Sequence, residues 1–145
     1  MTEFAGFPAE ALGFYQDIAE HNDQAWFNDH RSEFMEHVIA PCQSFITELG
    51  QRLQQRRPKL AFDTNHNGRG SFKKIHTDRR FNPDRAPFKT YAQMIFWEGP
   101  LKVRKENVCF LVHFDPDRVV LSSGLKYFER ETMRGYRESV LADGH

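Results

Sequence analysis

The sequence predicts an α+β fold: N-terminal helices packed on a mainly antiparallel sheet, followed by a C-terminal helix. Three observations carry this expectation. Apolar residues recur at helical spacing from Pro8 to about residue 57, β-favouring runs bounded by turn residues fill 90–123, and a charged helical pattern returns from Lys126. Helices first and strands later favour α+β over a wound parallel sheet. The chain has 145 residues, 14 of them Phe. That is enough to bury a core as one domain without disulfides or metal.

The elements follow in order. Pro8 suits a helix start, where no N–H is lost, and Ala11, Leu12, Tyr15, Ile18 and Ala19 then recur on one face. This helix should end near HND (21–23), where Asn22 or Asp23 can cap the next one. The second helix carries Phe27, Phe34, Val38, Phe45, Leu49 and Leu53 on one stripe, and Pro41 marks a kink or restart within it. QRLQQRRPK (51–59) reads as a solvated helix end closed by Pro58. LAF (60–62) and KKIH (73–76) are candidate strands, with NHNGRGS (65–71) a flexible turn between them. TYAQMIFW (90–97) is a strand closed by Gly99-Pro100. NVCFLVHF (107–114), the turn DPD and RVVLSS (118–123) form a hairpin, and a charged helix runs from Lys126 to about Leu141.

The chain is neutral overall, with 20 basic and 20 acidic residues, so no global field steers it to nucleic acid or membrane. Cys42 and Cys109 are too few and too far apart for a disulfide framework or zinc knuckle. An acidic N-terminal stretch without an unbroken apolar run is unlike a signal peptide, and no segment approaches a membrane span. The expectation is a cytoplasmic protein with no membrane partner.

Neutrality hides a local bias. Residues 69–89 hold seven cations and two carboxylates, a net +5, so the remainder carries −5. Within HTDRRFNPDRAPFKT (76–90), Asn82-Pro83 and Ala86-Pro87 disfavour helix before each proline, which makes the segment a shaped loop. Phe81 and Phe88 are expected to anchor it in the core. A rigid loop can hold guanidinium forks in directions that match phosphate or carboxylate oxygens. Lys74, Arg80, Arg85 and Lys89 are therefore the candidate anion-binding residues. Asp78 and Asp84 are candidates to orient them or to act as acid and base.

The same stretch resembles the signature of the domain of unknown function 2461 family, a pattern close to R-x-x-R-D-x-R-F followed by D-K-x-P-Y-K. Here the residues read K-I-H-T-D-R-R-F (74–81) and D-R-A-P-F-K (84–89). Asp78, Arg80, Phe81, Asp84, Pro87 and Lys89 match directly. Lys74 and Arg85 preserve charge, Phe88 keeps the ring without the hydroxyl, and Thr77 stands where the pattern has an arginine. F-A-G-F (4–7), H-N-D-Q-A-W-F (21–27) and CFLVHFDPDRVVLSSGL (109–125) extend the resemblance over nearly the whole chain. It implies an architecture and a candidate site, but no reaction. Family members continue beyond the point where this chain ends, so the resemblance also implies a truncated or divergent member.

Other constellations point to less. His76 with Asp78, and His113 with Asp115, would share faces of extended segments, and His30 and His37 lie two turns apart on a helix. None makes a ligand set by spacing, so no metal and no cofactor are expected. NGRGS is too short for a phosphate loop, and Cys109 reads as a core residue. Three readings result: a site for a small anion or phosphate ester, with or without turnover; a non-catalytic interaction module whose Arg/Asp network is a buried structural one; and a single-stranded nucleic-acid binder that uses Phe72, Phe81 and Phe88 among the cations.

Overall fold

The computed structural model describes residues 3–100, 107–125 and 127–144. Its α+β architecture is the expected one. Helix α1 (Ala9–Glu20) follows Pro8 and buries Ala11, Phe14, Tyr15 and Ile18 at i, i+3, i+4 and i+7. Relative to the sequence expectation the buried stripe is rotated: Phe14 enters the core, Leu12 is half-buried and Ala19 is exposed. The larger ring wins the inward position. Asp23 caps helix α2 (Gln24–Asp29) by accepting the Trp26 N–H at 2.9 Å.

A short turn α3 (Arg31–Glu33) leads into a π-helical stretch (Phe34–Ile39) and then α4 (Ala40–Arg56). Pro41 lies in the first turn of α4 and has no N–H to donate. The chain meets that loss by widening the preceding turn, so that the Ala40 N–H reaches back to the Met35 carbonyl. The expected interruption at Pro41 is therefore a π-helical turn. On α4, Cys42, Ile46 and Gly50 are buried. Gly50 has to be glycine, because a Cβ there would enter the ring of Phe62.

The sheet runs in the order β1 (Leu60–Ala61), β2 (Ala92–Glu98), β3 (Val108–Phe114), β4 (Val119–Leu125), antiparallel throughout. Ala92, Met94 and Phe96 of β2 and Phe110, Val112 and Phe114 of β3 join the helices in the main core. Alternation sends Ile95, Trp97 and Cys109 to the opposite face, where they form a second, smaller cluster. The β3–β4 turn is tied by Asp115, whose Oδ1 accepts the N–H groups of Asp117 and Arg118 at 2.9 and 3.0 Å. KKIH is not a continuous strand: Phe72 and His76 make isolated bridges to Met94 and Phe88.

The C-terminal helix α5 (Arg130–Ala142) begins later than the sequence predicts, and Lys126, its expected start, lies outside the described residues. None of its residues is buried. Among the described residues, no helix is long and apolar enough to cross a membrane.

Candidate functional site

The charged stretch is built as a hairpin. At its base the Thr77 N–H donates to the Pro87 carbonyl and the Lys89 N–H to the Ile75 carbonyl, both at 2.8 Å, on either side of the His76–Phe88 bridge. Ile75 and Phe88 are buried and fix this base to the core. Asn22, between α1 and α2, grips the same rung from outside. Its Nδ2 donates to the Phe88 carbonyl and its Oδ1 accepts the Phe88 N–H, each at 2.9 Å. The side-chain amide thus stands in for a neighbouring strand.

The tip projects into water. Arg79 donates through its guanidinium to the Pro83 carbonyl, and Asn82 Oδ1 accepts the Asp84 N–H at 3.2 Å. Arg80 and Asp78 form a two-point ion pair, with Nη2–Oδ2 at 2.6 Å and Nε–Oδ1 at 3.0 Å. Their side chains are 79% and 53% exposed. The expectation that Phe81 anchors the loop is overturned, since Phe81 is 92% exposed whereas Phe88 is 2%. The two rings sit at opposite ends of the hairpin, and only the one at the base meets the core. The Arg80 bonds hold the Asp78 carboxyl down to about 2. A carboxylate held so far below neutrality is a weak proton acceptor at physiological pH. The pair is a surface one, not a buried network.

A cleft of about 360 Å³ opens beside the hairpin base. One wall is a helical face: Gln24, Phe27, Asn28 and Arg31 at i, i+3, i+4 and i+7, continued by Phe34. The opposite wall comes from His66 and Asn67 and from Lys74, Ile75 and His76. The floor is apolar, with Phe27, Phe34, Phe72 and Ile75 all buried, and the exposed rim is polar apart from Met35. Among the described residues lining the cleft none is Asp or Glu, while Arg31 and Lys74 bring full positive charges.

The turn that carries His66 and Asn67 is ordered by its own side chains. Asp63, Asn65 and Asn67 each accept the N–H two residues on, at 2.7, 2.9 and 2.9 Å. Ser71 closes it: its N–H donates to the Asp63 carbonyl at 2.8 Å and its Oγ accepts the Asp63 N–H at 3.1 Å. Gly68 has φ +86°, and a Cβ there would collide with the Lys74 stem. Lys74 therefore reaches the cleft across a glycine.

Of the six candidates, the structure brings Lys74 into the cleft and Lys89 close to it. Lys89 Nζ donates to the Lys74 carbonyl at 2.6 Å, and its charge acts on His76 together with those of Lys74 and Arg31. Desolvation is the main cause that lowers the His76 pKa, and these three cations lower it further. Asp78, Arg80, Asp84 and Arg85 belong to the tip and do not line the cleft. Sequence reasoning missed Arg31. Its signal was the i, i+7 spacing from Gln24, which puts it on the face that buries Phe27.

Elsewhere, His113 Nε2 meets Asp115 Oδ2 at 3.0 Å, and this hydrogen bond is the first cause that takes Asp115 down to about 2. Among the described residues no group of three His, Cys, Asp or Glu could hold a metal. Both cysteines are buried and neither is in a disulfide, and burial pushes the Cys42 thiol up, away from thiolate chemistry.

Residues 10–145 match the family model described as "Conserved hypothetical protein (DUF2461)". No curated protein and no solved structure matches the chain.

Proposed function

The chain belongs to the DUF2461 family, and we propose that the cleft between α2–α3 and the hairpin base binds a small organic anion, a phosphate ester or a close analogue. One observation carries this reading: Arg31 and Lys74 flank an aromatic floor in a cleft whose described lining holds no carboxylate. A guanidinium fork and an ammonium serve different parts of an anion, the first in-plane oxygens and the second a point charge. The buried rings favour a ligand with a flat apolar body behind its charge. Lys89 supports the site by bracing the Lys74 backbone. Asp78 is best suited to orienting Arg80, and Arg80, Arg85 and Asp84 to the rim of the approach rather than to the cleft.

Calorimetric titration with phenyl phosphate, phenyl sulfate and uncharged phenol tests this. Both anions should saturate the protein and phenol should not. Arg31→Ala and Lys74→Ala should each weaken binding about tenfold, the share expected for one charge in a solvent-open site at roughly 1–2 kcal/mol. Equal binding of phenol, or no response from either anion, would sink the reading.

A second reading rests on Phe81. A 92% exposed ring on a hairpin tip stiffened by its own hydrogen bonds is the form of a protein-docking anchor, so the tip would serve as a non-catalytic interaction module. Nucleic acid fits less well. The tip opposes Asp78 and Asp84 to its three arginines, and Arg80 is already paired, which leaves little charge to displace counterions.

A further inference from the structure

His76 is the titratable group that the hairpin base contributes to the wall of the cleft facing α2 and α3. Its ring lies 6.0 Å from Phe27 of α2 and 5.1 Å from Phe88 of its own hairpin, centroid to centroid. The charges that act on it are positive: Arg31 from α3, and Lys74 and Lys89 from the hairpin base. His66, from the Asp63–Ser71 turn, shares the cleft. His76 lies on the exposed rim, but an imidazolium there would have the Phe27 and Phe88 rings on its flanks in place of water and would face those cations. The neutral ring is therefore favoured.

An anion reverses this field. Seated between Arg31 and Lys74, it brings negative charge within reach of the same ring and offers the imidazolium an acceptor. We propose that the cleft takes up a proton together with its anion, and that His76 is where the proton goes. This rests on the anion-binding reading above and adds its regulation. Binding is then linked to pH in a definite direction. For a ligand whose own charge is fixed, affinity rises as pH falls from the His76 pKa of the filled cleft to that of the empty one. The limit is about tenfold per pH unit for one proton. Outside that window affinity is flat. The coupling would make the site hold its ligand more tightly below that window than above it.

Phenyl sulfate is the appropriate probe, because its charge does not change over the range in which histidine titrates. The His76 ring proton is followed by NMR across that range, with and without saturating phenyl sulfate, on the intact chain. In parallel, calorimetry in buffers of different ionisation enthalpy counts the protons taken up on binding. The expected result is a His76 pKa below 6.5 in the empty protein, raised when phenyl sulfate binds. Proton uptake should vanish in His76→Gln and persist in His66→Gln. Binding of phenyl sulfate with an unchanged His76 titration and no proton uptake would overturn the coupling while the anion site stands. No binding at any pH would overturn both. Should His76→Gln not fold, the wild-type titration decides alone.

Discussion

At the scale of single residues, the cleft depends on Gly68 as much as on the cations it presents. Gly68 holds φ +86°, and the Lys74 stem passes where a Cβ would stand. Gly68→Ala should cost about 1–2 kcal/mol from the left-handed backbone alone. It should also displace Lys74, so that phenyl phosphate binds severalfold more weakly even at temperatures where the variant is fully folded. Circular-dichroism melts and calorimetry separate the two effects, and unchanged affinity in the folded variant would show that Lys74 has no part in binding. Residue chemistry was partly legible in the sequence. Lys74 stood out in a cationic segment, and Phe88 was rightly expected in the core. Phe81 was not, because sequence identifies a ring but not the direction in which a hairpin carries it. Arg31 was hidden for the opposite reason: its helix reads as core-forming, and only the opposing wall makes its solvent edge part of a cleft.

At the scale of elements, the hairpin base is held by packing on one side and by Asn22 on the other. Two hydrogen bonds of 2.9 Å to the same residue, 66 positions away in sequence, make Asn22 the link between the α1–α2 turn and the site. Removing both in Asn22→Ala leaves the Phe88 N–H and C=O in part-buried surroundings, at about 1–3 kcal/mol for each unmet group. Because the site is only part-buried and water can meet part of the need, the expected loss lies in the lower part of that sum, about 2–4 kcal/mol in denaturant unfolding, with faster amide exchange at Thr77 and Lys89. A variant as stable as the wild type would mean that Phe88 alone secures the hairpin. The motif HND advertises a cap, and Asp23 is one. Nothing local distinguishes the neighbouring Asn22, whose partner is fixed by tertiary packing. The π-helical stretch was half legible in the same way. Pro41 signals a lost donor, but whether a helix breaks, bends or widens depends on what its two ends pack against.

At the scale of the whole molecule, the α+β class was readable because helical and strand periodicities occupy separate stretches of the chain, and the β3–β4 hairpin because its turn is rich in Asp and Pro. The extent of burial was not readable: α5 has a helical pattern, yet none of its residues is buried and Met133 is only half-buried. Charge placement leads to one further expectation, the acid limb of stability. Asp78 and Asp115 are both held at about 2, by Arg80 and by His113 respectively, below their ordinary value of 3.8. A depressed carboxyl binds fewer protons in the folded than in the unfolded chain, so its stabilisation is complete above about 4 and is lost as pH falls toward about 2. The lowered pKa of His76 acts in the same sense at higher pH. The unfolded chain takes up its proton first, and stability begins to fall below about 6.5. Melting temperature should therefore decline in two stages on acidification. His76→Gln should remove the first, and Asp115→Asn should flatten the second. Saturating phenyl sulfate should abolish the first stage or reverse it, because a proton bound with the anion stabilises the folded chain. A single acid transition, insensitive to His76→Gln and to phenyl sulfate, would mean that the cleft's cations do not govern this histidine.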